Sequence, residues 1–308
     1  MRHLLSISDL DDDELRRLVE RGVAIAGDRR AAEHARPLAG RVVGIYFRRT
    51  STRTRTSFSV AALRLGASIV AYGPDDLQEN TGESTADTAR VLSGMLDAFV
   101  ARTAGPTEEL RTYADQQRMA VVNAMSALEH PTQALADLTT IASRFGRVDG
   151  VRVRYVGEGN NTAVALALAL TRFPGTTLHL NTPPEYGLPP QVLAEATALA
   201  DASGSTIVEH HDMRPCPGAD LVYTTRWQTT GTTKPHPDWR DRFAPFQVDD
   251  AVLADQPGAL FMHDLPAHRG EEVTAEVLDG PRSIAFEQAD NKLHSAMAVL
   301  ERCLAEHR

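Results

Sequence analysis

The 308-residue chain has a formal net charge of −9, is 42% hydrophobic and 24% charged, and contains 21 glycines and 17 prolines. These proportions exclude a disordered tract, a collagen-like repeat and a coiled coil, leaving an ordinary globular chain. At about 100–200 residues per domain the length favours two domains, and a chain of this size buries roughly three quarters of its unfolded surface without disulfide or metal staples. Cys216 and Cys303 have neither metal-ligand nor paired secretory spacing, which suits a reducing cytoplasm. The first residues, MRHLLSISDLDDDELRR, are acidic where a signal peptide needs an apolar core, and the longest apolar stretch, Ala163–Leu170, is too short to span lipid. The acidic balance disfavours a nucleic-acid surface and leaves one local basic cluster, Arg48, Arg49, Arg53 and Arg55.

Short β-rich runs then alternate with helical patterns. After a capped helix opening at Ser8 or Asp9, Arg41–Phe47 reads as a buried strand, Thr54–Leu65 as a helix and Ser68–Tyr72 as a strand. Ser84–Leu96 follows as a helix with Val91, Leu92, Met95 and Leu96 inward, then strands at Ala98–Ala101 and Met119–Asn123 and a helix over Pro131–Arg144. A second series opens at Val151 with a strand ending in glycines, a helix over Asn161–Phe173, a strand at Thr177–Asn181 and a helix over Pro190–Ala202. Strands at Thr206–Glu209, Leu221–Thr224 and Ala259–His263 precede a long amphipathic helix, Glu287–Glu306. The pattern predicts an α/β fold of two lobes, each a parallel sheet flanked by helices, with Gly146–Gly150 as the linker and ligands in the cleft beyond the strand C-termini.

Three segments carry chemistry. FRRTSTRTRTSF places Ser51, Thr52, Arg53 and Thr54 between a strand and a helix, where free backbone amides, the positive helix end, hydroxyls and a guanidinium can face one anion. A solvated Ser/Thr/Arg loop would have the same composition. EHPTQALAD sets His130 before Pro131 at a helix start and Gln133 one turn in, so that imidazole and carboxamide can point together. FMHDLPAHRG brings His263 and Asp264 to a strand tip, where Asp264 could equally cap a backbone amide.

Taken together, and in this order, STRTR, HPTQ and an H-x-L-P loop resemble the aspartate and ornithine carbamoyltransferase family. The likeness extends to ESTADTARVLSGM, YVGEGNN, ADLVYTTRWQTTG and AFEQADNKLHSAMAV, and so covers nearly the whole chain. The resemblance implies a carbamoyl-phosphate-binding domain (1–132 with 287–308), an acceptor-binding domain (133–286), and an active site in the cleft and at the subunit interface of a homotrimer or a multiple of it. It implies that Ser51, Thr52, Arg53 and Thr54 hold the phosphate, that Arg102 also binds carbamoyl phosphate, and that His130 and Gln133 hold the carbamoyl group. Lys292 stands where a family arginine helps with carbamoyl phosphate, and Gln78 would reach into the neighbouring subunit's site. Arg102, His130 and Thr54 would stabilise the oxyanion, without metal or organic cofactor.

The acceptor side departs from the family. Where ornithine enzymes carry D-x-W-x-S-M-G, this chain has Thr225 in place of the carboxylate and Thr229-Thr230 in place of Ser-Met, although Asn161 is retained. The H-C-L-P cysteine is Asp264, followed by Leu265, and a lysine often seen in the donated loop is Gly82. The expectation is therefore a cytoplasmic carbamoyltransferase acting on the amine of an amino-acid-like acceptor other than ornithine, in which Asp264 orients that amine and takes its proton. The alternatives are an ordinary ornithine carbamoyltransferase and a catalytically silent carbamoyl-phosphate binder. A nucleotide-binding oxidoreductase is disfavoured because the glycines after the Val151 strand lack G-x-G-x-x-G.

Overall fold

The computed structural model describes residues 3–229 and 231–304. The chain divides into two compact units, Met1–Thr139 with Asp290–Arg308, and Thr140–Ala289. Among the described residues no helix is long and apolar enough to cross a membrane.

The first unit begins with a 3-10 turn at Ile7–Asp9, closed by a Ser6/Asp9 capping box. Asp11 then caps α1 (Asp12–Gly27), which is followed by α2 (Arg29–Ala35). Its sheet is built from β1 (Val42–Phe47), α3 (Arg53–Arg64), β2 (Ser68–Tyr72), α4 (Thr85–Leu92), β3 (Ala98–Arg102), α5 (Thr107–Ala114), β4 (Ala120–Met125) and the start of α6 (Pro131–Phe145). The four strands are parallel in the order β2-β1-β3-β4. β1, β3 and β4 are buried because helices cover both faces, and they read as mainly apolar runs, interrupted by Arg102 at the end of β3 and Asn123 within β4, whereas the edge strand β2 is largely exposed.

The expected inward face of α4 needs correction. Leu92 and Leu96 are buried against Phe99 and Tyr113, but Val91 is 51% and Met95 70% exposed. The helix ends at Leu92, four residues earlier than expected, and in the turn beyond it Leu96 packs inward beside Leu92 while Met95, like Val91, faces outward. α5, which buries Leu110 and Tyr113 in the core, is an addition to the expected elements.

The second unit contains β5 (Arg152–Val156), α7 (Asn161–Leu170), β6 (Thr177–Asn181), α8 (Pro190–Ser203), β7 (Thr206–His210), β8 (Leu221–Thr224), α9 (Trp239–Phe243), α10 (Asp250–Ala254), β9 (Leu260–His263), α11 (Ala275–Leu278) and the start of α12 (Ala285–Leu304). Its five parallel strands run β7-β6-β5-β8-β9. Chain order reverses between β5 and β8, so the loops after those strands diverge at a switch point, the usual ligand position of such sheets. α7 is buried on every side, as its uniformly apolar sequence requires.

Candidate active site

In the first unit, Phe47 of β1 lies in register with Arg102 of β3, so the two strands end side by side. Arg102, 9% exposed, donates from Nη1 to Ser51 Oγ at 3.4 Å. α3 opens at Arg53, and Thr52 at its N-cap makes no side-chain capping bond, so this hydroxyl does not consume a first-turn amide. Thr54 is buried, Ser51 and Arg53 are half-buried and Thr52 is exposed. Arg48 does not belong with them: it donates to Tyr46 Oη at 3.1 Å and to Glu109 Oε2 at 3.1 Å, and it pairs with Glu79 at 3.6 Å. Against the opposing effect of burial, the bonds to Glu109 and Tyr46 raise its pKa and tie it into the scaffold.

β4 leads to His130 through Glu129, a buried carboxylate that accepts the Ile7 amide at 2.7 Å and fixes this loop. Pro131 occupies the first helical position of α6, as its missing N–H allows. Burial, reinforced by the charges of Arg102 and Lys292, lowers the His130 pKa well below the ordinary histidine value, so the ring is neutral at pH 7. Its Nδ1 lies 3.3 Å from Thr132 Oγ1. Lys292 of α12 donates to Gln133 Oε1, and Gln133 Nε2 donates to Asp137 Oδ1 at 2.7 Å. Thr54, His130, Gln133 and Lys292 line one small pocket with Ser57, Phe58 and Thr132. Of the expected donor-side residues, Ser51 and Arg102 are therefore joined by a hydrogen bond, and Thr54, His130, Gln133 and Lys292 by a shared lining. Gln78 is exposed in a 3-10 turn, Gln78–Thr81, where its Oε1 accepts from Thr81 Oγ1 at 2.8 Å.

In the second unit the loops after β5, β8 and β9 meet at the start of α7. Gly157 holds φ +127°, a value L side chains rarely adopt. At Gly159 an added Cβ would lie 2.3 Å from the Gly187 carbonyl carbon, so only glycine lets the two backbones approach. Asn160 caps α7 through Oδ1 and donates from Nδ2 to Thr225 Oγ1 and Thr229 Oγ1, both at 3.0 Å. Tyr155 Oη donates to the Glu158 carbonyl at 2.7 Å and lies 3.2 Å from Thr225 Oγ1. Thr229 Oγ1 donates to Glu158 Oε2 at 3.2 Å, and Lys234 Nζ forms an ion pair with Glu158 Oε1. Asn161 is buried as the first residue of α7. Thr230 lies outside the described residues.

Asp264 accepts a hydrogen bond from Thr162 Oγ1 at 2.9 Å, so its carboxylate is held by a side chain of α7. The adjoining His263 is fully buried. Its Nδ1 accepts the Leu265 amide at 2.8 Å, which leaves the ring proton on Nε2, 3.0 Å from Glu272 Oε1. His263 is thus the brace of the loop carrying Asp264 and Leu265, and the Leu265–Pro266 peptide is cis. Glu158, Asn160, Thr162 and Asp137 touch the expected site residues, and Lys234 reaches them through Glu158, although the sequence pattern alone does not single these five out. Glu158 and Asn160 adjoin the motif glycines, which is a usable signal, whereas Lys234 lies in a polar stretch with no periodicity.

Profiles of two domains match this chain almost end to end: the carbamoyl-P binding domain of aspartate/ornithine carbamoyltransferase over residues 2–143 and the Asp/Orn binding domain over residues 149–303. The chain belongs to the aspartate/ornithine carbamoyltransferase family. Among its relatives, the ornithine carbamoyltransferase of Acidothermus cellulolyticus is 42% identical over 303 residues, 97% of this chain and 96% of that protein. The Thermosynechococcus vestitus ornithine carbamoyltransferase is 38% identical over 304 residues, 98% of this chain and 96% of that one. The structure of ornithine carbamoyltransferase from Pyrococcus furiosus superposes with a TM-score of 0.93 at 37% identity, covering 100% of this chain and 98% of the other. That likeness accounts for the two helix-flanked parallel sheets and identifies the chain as a carbamoyltransferase by family.

Proposed function

We propose that this carbamoyltransferase moves the carbamoyl group of carbamoyl phosphate to the amine of an amino-acid-like acceptor other than ornithine, releasing phosphate. The observation that carries the acceptor reading is the neutral surrounding of Thr225. Asn160 and Tyr155 contact its hydroxyl, and the nearby Glu158 carboxylate is engaged by Lys234 and Thr229. An α-ammonium placed there would lack the charged partner that contributes about 1.5–3 kcal/mol in a hydrogen bond.

On the donor side, Ser51, Thr52, Arg53 and Thr54 hold the phosphate at the start of α3. The neutral amine attacks the carbamoyl carbon, an oxyanion forms and the phosphate oxygen leaves with the bonding pair. Arg102, Thr54 and His130 stabilise that oxyanion, each such donor contributing about 2.7–4 kcal/mol in comparable sites. A neutral His130 is suited to this role in the tautomer that protonates Nε2, for which the Thr132 hydroxyl, 3.3 Å from Nδ1, serves as donor. Gln133 and Lys292 position the carbamoyl group, with Asp137 anchoring Gln133. Asp264, turned by Thr162, orients the acceptor amine and takes its proton. The assembly follows as a homotrimer or a multiple of it, with Gln78 given to a neighbouring site; exposed Leu63, Val70, Val91 and Met95 on the first unit supply apolar surface for that contact.

The relatives named ornithine carbamoyltransferase favour a second reading, in which ornithine is the acceptor. An amine panel with carbamoyl phosphate, read by phosphate release, decides between them. Turnover with another amine and little citrulline supports the first reading; citrulline formed as fast as any other product overturns it. Calorimetric binding of carbamoyl phosphate with no phosphate release from any amine would indicate a silent homologue.

A further inference from the structure

Lys234 is buried to 2% side-chain exposure, with Nζ 4.8 Å from the Tyr186 ring centroid and 4.7 Å from that of Phe243. Its partner is Glu158, the carboxylate at the end of a chain of bonds running Thr225–Asn160–Thr229–Glu158. A buried ion pair is a weak source of stability, because desolvating two charges offsets most of their attraction. The loop also has an apolar anchor, since Trp227, Trp239, Tyr186 and Phe243 form a buried aromatic cluster. What the pair does change is charge: it neutralises the acidic group of this network that would otherwise be open to a ligand cation. An ammonium facing aromatic rings and a carboxylate is also how a protein receives a bound amine.

We propose that Lys234 is an internal surrogate for an acceptor ammonium, occupying Glu158 and thereby excluding acceptors that bring an α-ammonium of their own. The inference rests on the reading of this end of the second unit as the acceptor site. It makes Lys234 a specificity determinant acting through Glu158, and it assigns the natural acceptor a distal end that is neutral or anionic.

The test is the kcat/KM for ornithine relative to wild type in Lys234→Met, with carbamoyl phosphate affinity followed by calorimetry as the measure of an intact fold. A rise of at least tenfold is expected, carried by KM, and it should vanish in Lys234→Met/Glu158→Gln, which has no carboxylate to release. Lys234→Arg keeps the cation and should stay near wild type for ornithine. If Lys234→Met is too unstable to assay, Lys234→Gln, which keeps a hydrogen-bond donor without the charge, is expected to move ornithine in the same direction. An ornithine kcat/KM within twofold of wild type in the folded variant, or a rise that survives Glu158→Gln, overturns the proposal. The acceptor reading itself is decided by the wild-type enzyme on the amine panel, and the surrogate role by the variant-to-wild-type ratio, so the two failures are distinct.

Discussion

Thr225→Asp restores a carboxylate to the position from which an ornithine enzyme would grip the acceptor. Thr225 is 1% exposed, and its Oγ1 lies 3.0 Å from Asn160 Nδ2, so one aspartate oxygen can inherit that donor. Tyr155 cannot readily supply another, because its single hydroxyl proton goes to the Glu158 carbonyl. The local charge then changes from zero, Glu158 against Lys234, to −1, with incomplete compensation. Attraction for an ammonium at about 3 Å is roughly 5–6 kcal/mol at an effective dielectric near 20. After desolvation the net gain is about 1.5–3 kcal/mol, or about 10- to 150-fold. The expected outcome is a rise of that size in kcat/KM for ornithine, measured as citrulline formation, with unchanged carbamoyl phosphate affinity. The unliganded variant should melt below wild type, since it buries an unpaired carboxylate, and ornithine should recover part of the lost Tm. A folded Thr225→Asp protein whose ornithine kcat/KM matches wild type would refute the argument that the missing charge sets acceptor choice.

Asp264→Asn should lower kcat by at least tenfold with the true acceptor while leaving carbamoyl phosphate affinity intact, and near-normal kcat in steady-state assays would remove Asp264 from proton transfer. Gly159→Ala forces a Cβ to within 2.3 Å of the Gly187 backbone; a loss of about 1–3 kcal/mol in chemical denaturation is expected, with a raised acceptor KM, and unchanged values of both would contradict the close approach. Because the folded-state pKa of His130 lies below that of the unfolded chain, the unfolded chain binds more protons as pH falls below about 6.5, and stability declines by up to about 1.4 kcal/mol per pH unit for this group. His179, lowered to about 4, adds to the same trend, so His130→Gln should flatten the slope of denaturation midpoint against pH between 7 and 5 only in part, and an unaltered slope would mean that His130 is protonated in the fold.

The strands, and the junctions that carry the expected donor-side residues, are legible in the sequence because their signals are local. A buried parallel strand is a mainly apolar run, and the Ser51–Thr54 and His130–Gln133 clusters each sit at a strand-to-helix junction whose geometry the flanking sequence announces. The outward turn of Val91 and Met95 is not legible, since apolar periodicity shows which residues could face a core and not which of two adjacent stripes the core has room for. The single-turn helices α9, α10 and α11 are too short to display a period. The acceptor-side changes at Thr225 and Asp264 stand out against the resemblance, but what surrounds them does not. Glu158 and Lys234 are separated by more than seventy residues, and nothing in either neighbourhood signals that they pair.

A crystal structure with carbamoyl phosphate, or a stable analogue, bound to this protein addresses the donor site on which every later step depends. Phosphate oxygens are expected within hydrogen-bonding distance of the Thr52–Thr54 amides and the Arg53 guanidinium, with the carbamoyl oxygen beside Arg102 and His130. Density for the ligand elsewhere, with the Ser51–Thr54 turn making no contact to it, would contradict that placement and the chemistry built on it.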